Sequence, residues 1–222
     1  SNILRSGGAA TIAAVVFATA PFLILGLHPE PANALSFPTW MVHVSSLIEW
    51  LVAMTYIWRY ADVSGVPQWK GLTWGMLPLH TSGLCACTFH ILYNAPSVAY
   101  LVPVQAALTC FGNATMAFAT WRVLQANVAS GGAPASAGSV AYRPGRSAAV
   151  SSLESDLSFY GSLLAITMAG SALVKWGALA LDFPFEPSLG PALALILGPT
   201  ALNIYKWAER SRDPSAPVDG LL

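Results

Sequence analysis

Six apolar runs, each near the length of a helix that spans a bilayer, constrain this chain more than any other feature. They cover about 9–27, 39–59, 72–93, 98–121, 157–181 and 188–207. About twenty apolar residues in a helix cross a hydrocarbon layer of ~30 Å, and a helix satisfies its own backbone hydrogen bonds there. Only 9% of the residues are charged, whereas a soluble domain carries roughly 25%. The sequence therefore predicts an all-α, polytopic transmembrane helix bundle with about six spans.

The basic residues fall in alternate loops of this six-span plan. Nine of the ten basic residues lie in or beside one set of loops, namely Arg5, Arg59, Lys70, Arg122, Arg143, Arg146, Lys206, Arg210 and Arg212. The intervening loops contain no Lys or Arg. The positive-inside rule therefore predicts that both termini lie on the stromal or cytoplasmic side. Tryptophans near the span ends, among them Trp58 and Trp207, are interpreted as interfacial anchors.

Composition divides the chain into three parts. Residues 1–125 are predicted to form a front part of four transmembrane helices, and residues 157–222 a C-terminal transmembrane hairpin and tail. Between them, residues 126–156 are rich in Ala, Ser and Gly without a helical stripe, which is typical of a linker. The net charge is zero, so nothing in the charge balance favours nucleic acid as a partner.

The stretch WKGLTWGMLPLHTSGLCACTFHILYN, residues 69–94, contains more chemically distinctive residues than a spanning helix needs. It holds two of the four histidines and two of the three cysteines. Pro78 is expected to kink the helix, because proline lacks the backbone N–H that the helix would use. Gly75 and Gly83 would allow another helix, or a flat ring, to approach closely.

Three histidines are candidate cofactor-binding residues. His43 and His90 lie at about the same depth near the outer end of two predicted spans, and His80 lies deeper. Such imidazoles could ligate a haem iron or a chlorophyll magnesium. The candidate cofactors are chlorophyll or carotenoid, with haem ranked after them. The favoured interpretation is structural, with each imidazole hydrogen-bonded to protein, because neither His43 nor His90 lies in a motif whose spacing requires a metal.

Three further polar residues lie inside predicted spans. Glu49 is near the middle of its span, at about the depth of His80, and Lys175 could reach toward that level. Asn113 is also placed within a span. An unpaired charge in a membrane costs on the order of 3 kcal/mol, so Glu49 is expected to pair with Lys175 or His80. The pair would join helices, or else form part of a proton relay or a ligand site.

Catalytic signatures are absent from the sequence. It contains no nucleophile elbow, phosphate loop, HExxH or CxxC motif. Cys85 and Cys87 are two residues apart, so a helix places them on different faces and a redox dithiol is not expected. We therefore predict no catalytic residues, no metal site and no enzymatic activity.

The segments HVSSLIEW, residues 43–50, and residues 69–94 resemble the hypothetical chloroplast open reading frame forty-nine family, small membrane proteins of cyanobacteria and plastids. The resemblance covers about 38–122, and LNIYKWAERSR, residues 202–212, is similar to the family's usual tail. It implies a photosynthetic organism and a chloroplast membrane, with the thylakoid favoured over the inner envelope. It implies no reaction.

The favoured hypothesis is a non-enzymatic accessory or assembly subunit of a larger plastid membrane complex, most plausibly a photosynthetic one. Its partners would be membrane lipids and the other subunits of that complex. One alternative is a pigment- or haem-binding membrane protein that uses His43, His80 or His90. Another is a subunit of a plastid protein-translocation complex.

Overall fold

Helices joined by short turns make up the part of the chain that the structure, a computed structural model, describes: residues 29–129, 146–180 and 187–213. The α-helices are α1 (Phe37–Ser64), α2 (Lys70–Gly75), α3 (Leu77–Ile91), α4 (Leu101–Ala129), α5 (Arg146–Ala180) and α6 (Leu189–Arg212). Short 3₁₀ turns at Pro67–Trp69 and Pro96–Val98 precede α2 and α4. No strand occurs in these residues, so the all-α prediction is confirmed for them. The predicted run 9–27 lies outside the described residues.

Three stretches of the described chain are long and apolar enough to cross a membrane. They are Phe37–Ser64, Pro96–Ala129 and Leu157–Gly177. The predicted run 72–93 is divided between α2 and α3, and the run 188–207 forms α6, which is not among the three. The described helices thus support a protein with several apolar spans, but they do not support the count of six.

The division between α2 and α3 lies at Met76, two residues before Pro78. The Met76 amide donates to the carbonyls of Leu72 and Thr73, at 3.0 and 3.3 Å. Pro78 has no N–H to offer the preceding turn. The hydroxyl of Thr115 in α4 donates to the Gly75 carbonyl at 2.9 Å, which supplies a hydrogen bond at the break. The kink expected at Pro78 in one continuous helix is thus replaced by a break between two helices.

The chain separates into two compact units. The first unit comprises Ser1–Ser45 and Val140–Pro184. Within it the start of α1 packs antiparallel to the end of α5: the Phe37 ring stacks on Trp176 with centroids 5.2 Å apart. Nearer the middle of α5, a Cβ at Gly170 would lie 3.2 Å from Val44. Glycine at this position lets the two helices approach closely.

The second unit comprises Ser46–Ser139 and Phe185–Leu222. In it α3 packs mainly against α4 and α6. One apolar core is centred on Leu84, Cys85, Leu92, Val98, Leu101, Ala192 and Ile196. A second core joins α1 to α2, α4 and α6 through Met54, Trp58, Leu72, Met76, Ala119 and Trp207.

Glycines set how closely the helices of the second unit approach. A Cβ on Gly112 of α4 would lie 2.6 Å from Leu79 Cγ, and one on Gly75 would lie 3.2 Å from the backbone of Thr115. A Cβ on Gly83 would lie 2.9 Å from Leu47 of α1. The close approach expected at Gly75 and Gly83 is thus made by other helices of the same chain.

Candidate functional site

His80 lies in the interior of the second unit, with only 3% of its surface exposed. Its position follows from the register of α1 against α2 and α3. Leu47 lies beside Gly83, and the Thr73 hydroxyl donates to the Met54 carbonyl at 3.2 Å. His80 Nδ1 is buried and has no hydrogen-bond partner among the described residues. A buried polar atom in this state is uncommon in folded proteins.

Hydroxyl groups on the turns next to His80 link α3 to its neighbours. The Ser82 hydroxyl donates to the Gln105 carbonyl of α4 at 3.0 Å and lies 2.7 Å from the Thr109 hydroxyl. On another side of α3, the hydroxyls of Thr81 and Thr200 of α6 are 3.2 Å apart. Each of these hydroxyls is hydrogen-bonded within the unit. They hold α3 to α4 and to α6.

His90 lies in the last turn of α3, where the backbone ends in a left-handed conformation. Tyr93 and Asn94 have φ values of 53° and 56°, a region that asparagine tolerates and tyrosine rarely adopts. The Asn94 amide N–H donates to the Phe89 carbonyl at 2.9 Å. His90 Nδ1 lies 2.7 Å from the Asn94 side-chain oxygen and donates to it. This turn brings together His90 and Asn94, which the sequence places one helical turn apart.

His43 belongs to the first unit. Its Nδ1–H donates to the carbonyl oxygen of Thr39 at 2.9 Å, and its ring meets Trp40 edge-on at a centroid distance of 6.0 Å. The Nδ1 atoms of His43 and His90 are therefore both engaged with protein groups. Whether these histidines bind a pigment is not tested by this geometry, so both the structural interpretation and the pigment alternative stay predictions.

Lys175 is paired with Glu30 within the first unit. Its ammonium group forms an ion pair with the Glu30 carboxylate and donates to the Leu35 carbonyl at 2.8 Å. These contacts join the loop before α1 to the end of α5 within the first unit. Sequence reasoning missed Glu30 because it was placed in a loop outside the spans.

Glu49 and Asn113 both lie on exposed sides of their helices. Neither has a hydrogen bond or ion pair with a described residue of the second unit, to which both belong. His80, in the same unit, is therefore not the partner of Glu49, whereas a pairing of Glu49 with Lys175 of the first unit stays a prediction. The depth estimate along the helix was insufficient, since it does not fix the direction in which a side chain points.

A cluster of aromatic and basic side chains lies where the C-terminal parts of α1 and α6 meet in the second unit. The rings of Trp58 and Trp207 lie 5.0 Å apart, and both are buried. Lys70 lies over Trp58 at 4.8 Å, and Lys206 and Arg210 lie over Trp207 at 5.2 and 5.1 Å. Cations over indole rings are attracted to the ring face. These two tryptophans therefore pack α1 against α6, and the interpretation of Trp58 and Trp207 as interfacial anchors is corrected.

The cluster could have been suspected from one local signal. Lys206 and Arg210 flank Trp207 at spacings of one and three residues, so a helix presents all three side chains on adjoining faces. Trp58 lies far away in sequence and gives no such signal. Among the described residues, no group of three or more His, Cys, Asp or Glu side chains is arranged to hold a metal ion.

Comparison with known proteins places the chain in a family. Residues 34–122 match the family described as "Protein of unknown function (DUF2499)". The chain is 52% identical to the "Ycf49-like protein" of Synechocystis sp. over 89 residues, which cover 40% of this chain and 86% of that protein. It is 35% identical to the "Uncharacterized protein ycf49" of Cyanophora paradoxa over 86 residues, 39% of this chain and 84% of that one. No solved structure matches.

The match spans α1 to most of α4, and with them His43, Glu49, His80, His90 and Asn113. It ends at residue 122, before the C-terminal segment LNIYKWAERSR. The resemblance noted in the sequence therefore holds for the region that forms most of the second unit's helices. On this similarity, which extends over nearly the whole of its cyanobacterial relative, the chain belongs to the Ycf49 family.

Proposed function

We propose that this chain is a non-enzymatic accessory or assembly subunit of a larger complex in a photosynthetic membrane, with the thylakoid favoured over the inner envelope. The observation that carries the proposal is the small fraction of each apolar span that is buried inside the protein. In each of the three spans only 11% of the most apolar window is buried. Of the remainder, the exposed side chains are available to lipid and to the helices of other subunits.

The exposed side chains support lateral contact as the main activity. Large apolar residues face outward along α4 and α6, among them Phe111, Phe118, Trp121, Leu197 and Leu202. The described residues form little beyond these helices and their short turns. Because the described part of the chain offers helix surfaces and little else, binding within the membrane is the activity that its form favours.

The proposal includes the six-span arrangement with both termini in the stroma or cytoplasm. It rests on the six apolar runs and on the nine basic residues in alternate loops. A relative in a cyanobacterium fits a membrane shared by cyanobacteria and plastids.

Purification from native membranes tests the proposal. The full chain with an affinity tag is extracted in a mild detergent and separated on a native gel, and its companions are identified by mass spectrometry. We expect migration well above the size of a 23.3 kDa protein in a detergent micelle, with other membrane proteins in fixed proportion. A tagged membrane protein of unrelated sequence serves as the control. Migration as a single chain with lipid alone would refute the proposal.

Pigment binding is kept as the second candidate because of His80, whose buried Nδ1 has no hydrogen-bond partner among the described residues. The packing at the two nearby glycines favours the structural interpretation over pigment binding. Leu47 lies against Gly83 and Thr115 lies against Gly75, where a flat ring would otherwise approach. An absorption spectrum of the purified chain separates the candidates. A Soret band in fixed proportion to protein, lost in His80→Ala and retained in His28→Ala, would favour the pigment.

A further inference from the structure

The outward side of α1 carries a regular row of side chains that includes a carboxylate. Ser46, Glu49, Tyr56, Tyr60 and Val63 are exposed, and Ala53 is half-buried between them. Their spacing alternates between three and four residues, which is the period of side chains at a seam between two helices. We call Ser46–Val63 on this side the α1 seam. All of its residues belong to the second unit.

Glu49 is the residue of the seam that is least compatible with contact to lipid. It follows Phe37 by about 18 Å of helix and precedes Ser64 by about 22 Å, so it lies near the middle of the span. A carboxylate at that depth is strongly unfavourable when it has no partner. The described residues of its own unit give it no hydrogen bond or ion pair, and Lys175 of α5 is already paired with Glu30. Its partner is therefore expected outside the described part of the chain.

Charge complementarity selects among the possible occupants of the seam. The apolar run 9–27 contains no Lys, Arg or His, so it brings no positive charge to Glu49. A second copy packed seam to seam would place another glutamate at the contact, and like charges repel in a low dielectric. A helix of another subunit that carries Arg or Lys at mid-bilayer depth meets the requirement.

We propose that the α1 seam docks a transmembrane helix of another subunit, and that an Arg or Lys of that helix forms an ion pair with Glu49. Ser46 is exposed about one turn before Glu49, and a small residue lets a neighbouring helix backbone come close. The hydroxyl group of Tyr60 provides a hydrogen-bonding group farther along the same contact. This inference rests on the proposed function and adds the chemistry of the partner.

Photo-crosslinking identifies the occupant in the native membrane. The full chain carries p-benzoylphenylalanine at Tyr56, or at Phe118 of α4 as a control for exposed apolar surface. Cross-linked peptides are then sequenced by mass spectrometry. We expect Tyr56 to capture an apolar helix of another subunit that contains Arg or Lys, and Phe118 not to capture that helix.

Substitution tests the ion pair itself. We expect Glu49→Gln to reduce the amount of the captured subunit that co-purifies at least tenfold, and Glu209→Gln, an exposed glutamate of α6, to leave it unchanged. Glu49→Arg combined with Arg→Glu or Lys→Glu in the captured helix is expected to restore the association. If Glu49→Gln fails to accumulate, the test is the helix cross-linked from position 56 in the chain that retains Glu49. The presence of Arg or Lys in that helix then supports the inference, and its absence overturns it.

The outcomes separate this inference from the proposed function. Undiminished co-purification with Glu49→Gln, or capture of a helix without Arg or Lys, overturns the inference and leaves the accessory role standing. Capture of a second copy, or of residues 9–27, overturns the inference as well. A chain that purifies without other subunits overturns both.

Discussion

Asn94 occupies a backbone conformation that few side chains accept, and it also binds a histidine. Its φ of 56° ends α3 together with Tyr93, and its side chain accepts a hydrogen bond from His90 at 2.7 Å. The same residue thus fixes the direction in which the chain leaves α3 and the orientation of the imidazole. These two contributions can be measured separately.

We expect Asn94→Gly to lower stability by about 0.5–1.5 kcal/mol, because glycine accepts the positive φ but loses the hydrogen bond. Asn94→Ala is expected to lower it by a further ~1 kcal/mol, since alanine adds the strain of the left-handed conformation. Thermal unfolding of the full chain in detergent measures both. Equal effects of the two substitutions would show that the turn is not strained.

The ion pair between Lys175 and Glu30 permits a double-mutant cycle. With 11% and 43% of their side chains exposed, the pair is partly screened by solvent, so we expect a coupling of about 0.5–1 kcal/mol. The variants are Lys175→Met, Glu30→Gln and the two combined. The pair Lys70 and Asp62, 2.7 Å apart and more exposed, serves as the comparison and is expected to couple less.

At the scale of single residues, the sequence indicated which side chains were unusual but not their partners. His80, Glu49 and Lys175 were recognised because polar groups are rare in apolar runs. Their partners depend on helix rotation and on loop residues such as Glu30, which periodicity does not determine. The hydrogen bond between His90 and Asn94 could have been predicted from the sequence, because it joins residues one helical turn apart.

At the scale of elements, the contact between α3 and α4 depends on the absence of a side chain at Gly112. A Cβ there would lie 2.6 Å from Leu79 Cγ and 3.0 Å from the Leu79 amide nitrogen. The side chain could rotate away, but the backbone nitrogen cannot move without separating the helices. The packing of the second unit is therefore sensitive to this one position.

We expect Gly112→Ala to destabilise the chain by about 1–3 kcal/mol through overpacking. The matched control is Gly161→Ala in α5, where a Cβ would meet nothing within 4 Å. There alanine is expected to be neutral, or to stabilise by up to about 1 kcal/mol through helix propensity. Detergent unfolding of the two variants in parallel gives the comparison, and a stable Gly112→Ala chain would show that α3 and α4 separate at little cost.

The sequence predicted where helices lie better than it predicted whether a helix is continuous. The runs 39–59 and 98–121 correspond to α1 and α4, because length and apolarity alone define such helices. The run 72–93 was predicted as one kinked span, whereas the structure ends α2 at Gly75 and begins α3 at Leu77. That end is stabilised by Thr115 from a helix forty residues later, a contact that no local pattern reveals.

At the scale of the whole molecule, the orientation of the chain is the prediction that sequence alone makes. With nine basic residues in alternate loops, we expect the termini and the segment 122–156 to face the stroma or cytoplasm. Protease added to sealed vesicles of known sidedness should cleave this segment only from that side. Cleavage from the lumenal side alone would reverse the orientation, and an epitope tag at each terminus tests the even number of spans.

The contact between Glu30 and Lys175 also sets an order of events during synthesis. The two residues are separated by 145 positions in the chain. At roughly 5–20 residues per second, a ribosome needs about 7–30 s to go from one to the other. Throughout that interval the Glu30 carboxylate and the Leu35 carbonyl lack the Lys175 ammonium group that binds both of them in the folded chain. The start of α1 therefore acquires its final neighbours only after α5 has left the ribosome, which makes the nascent chain dependent on water, lipid headgroups or an insertion factor to solvate that loop in the meantime.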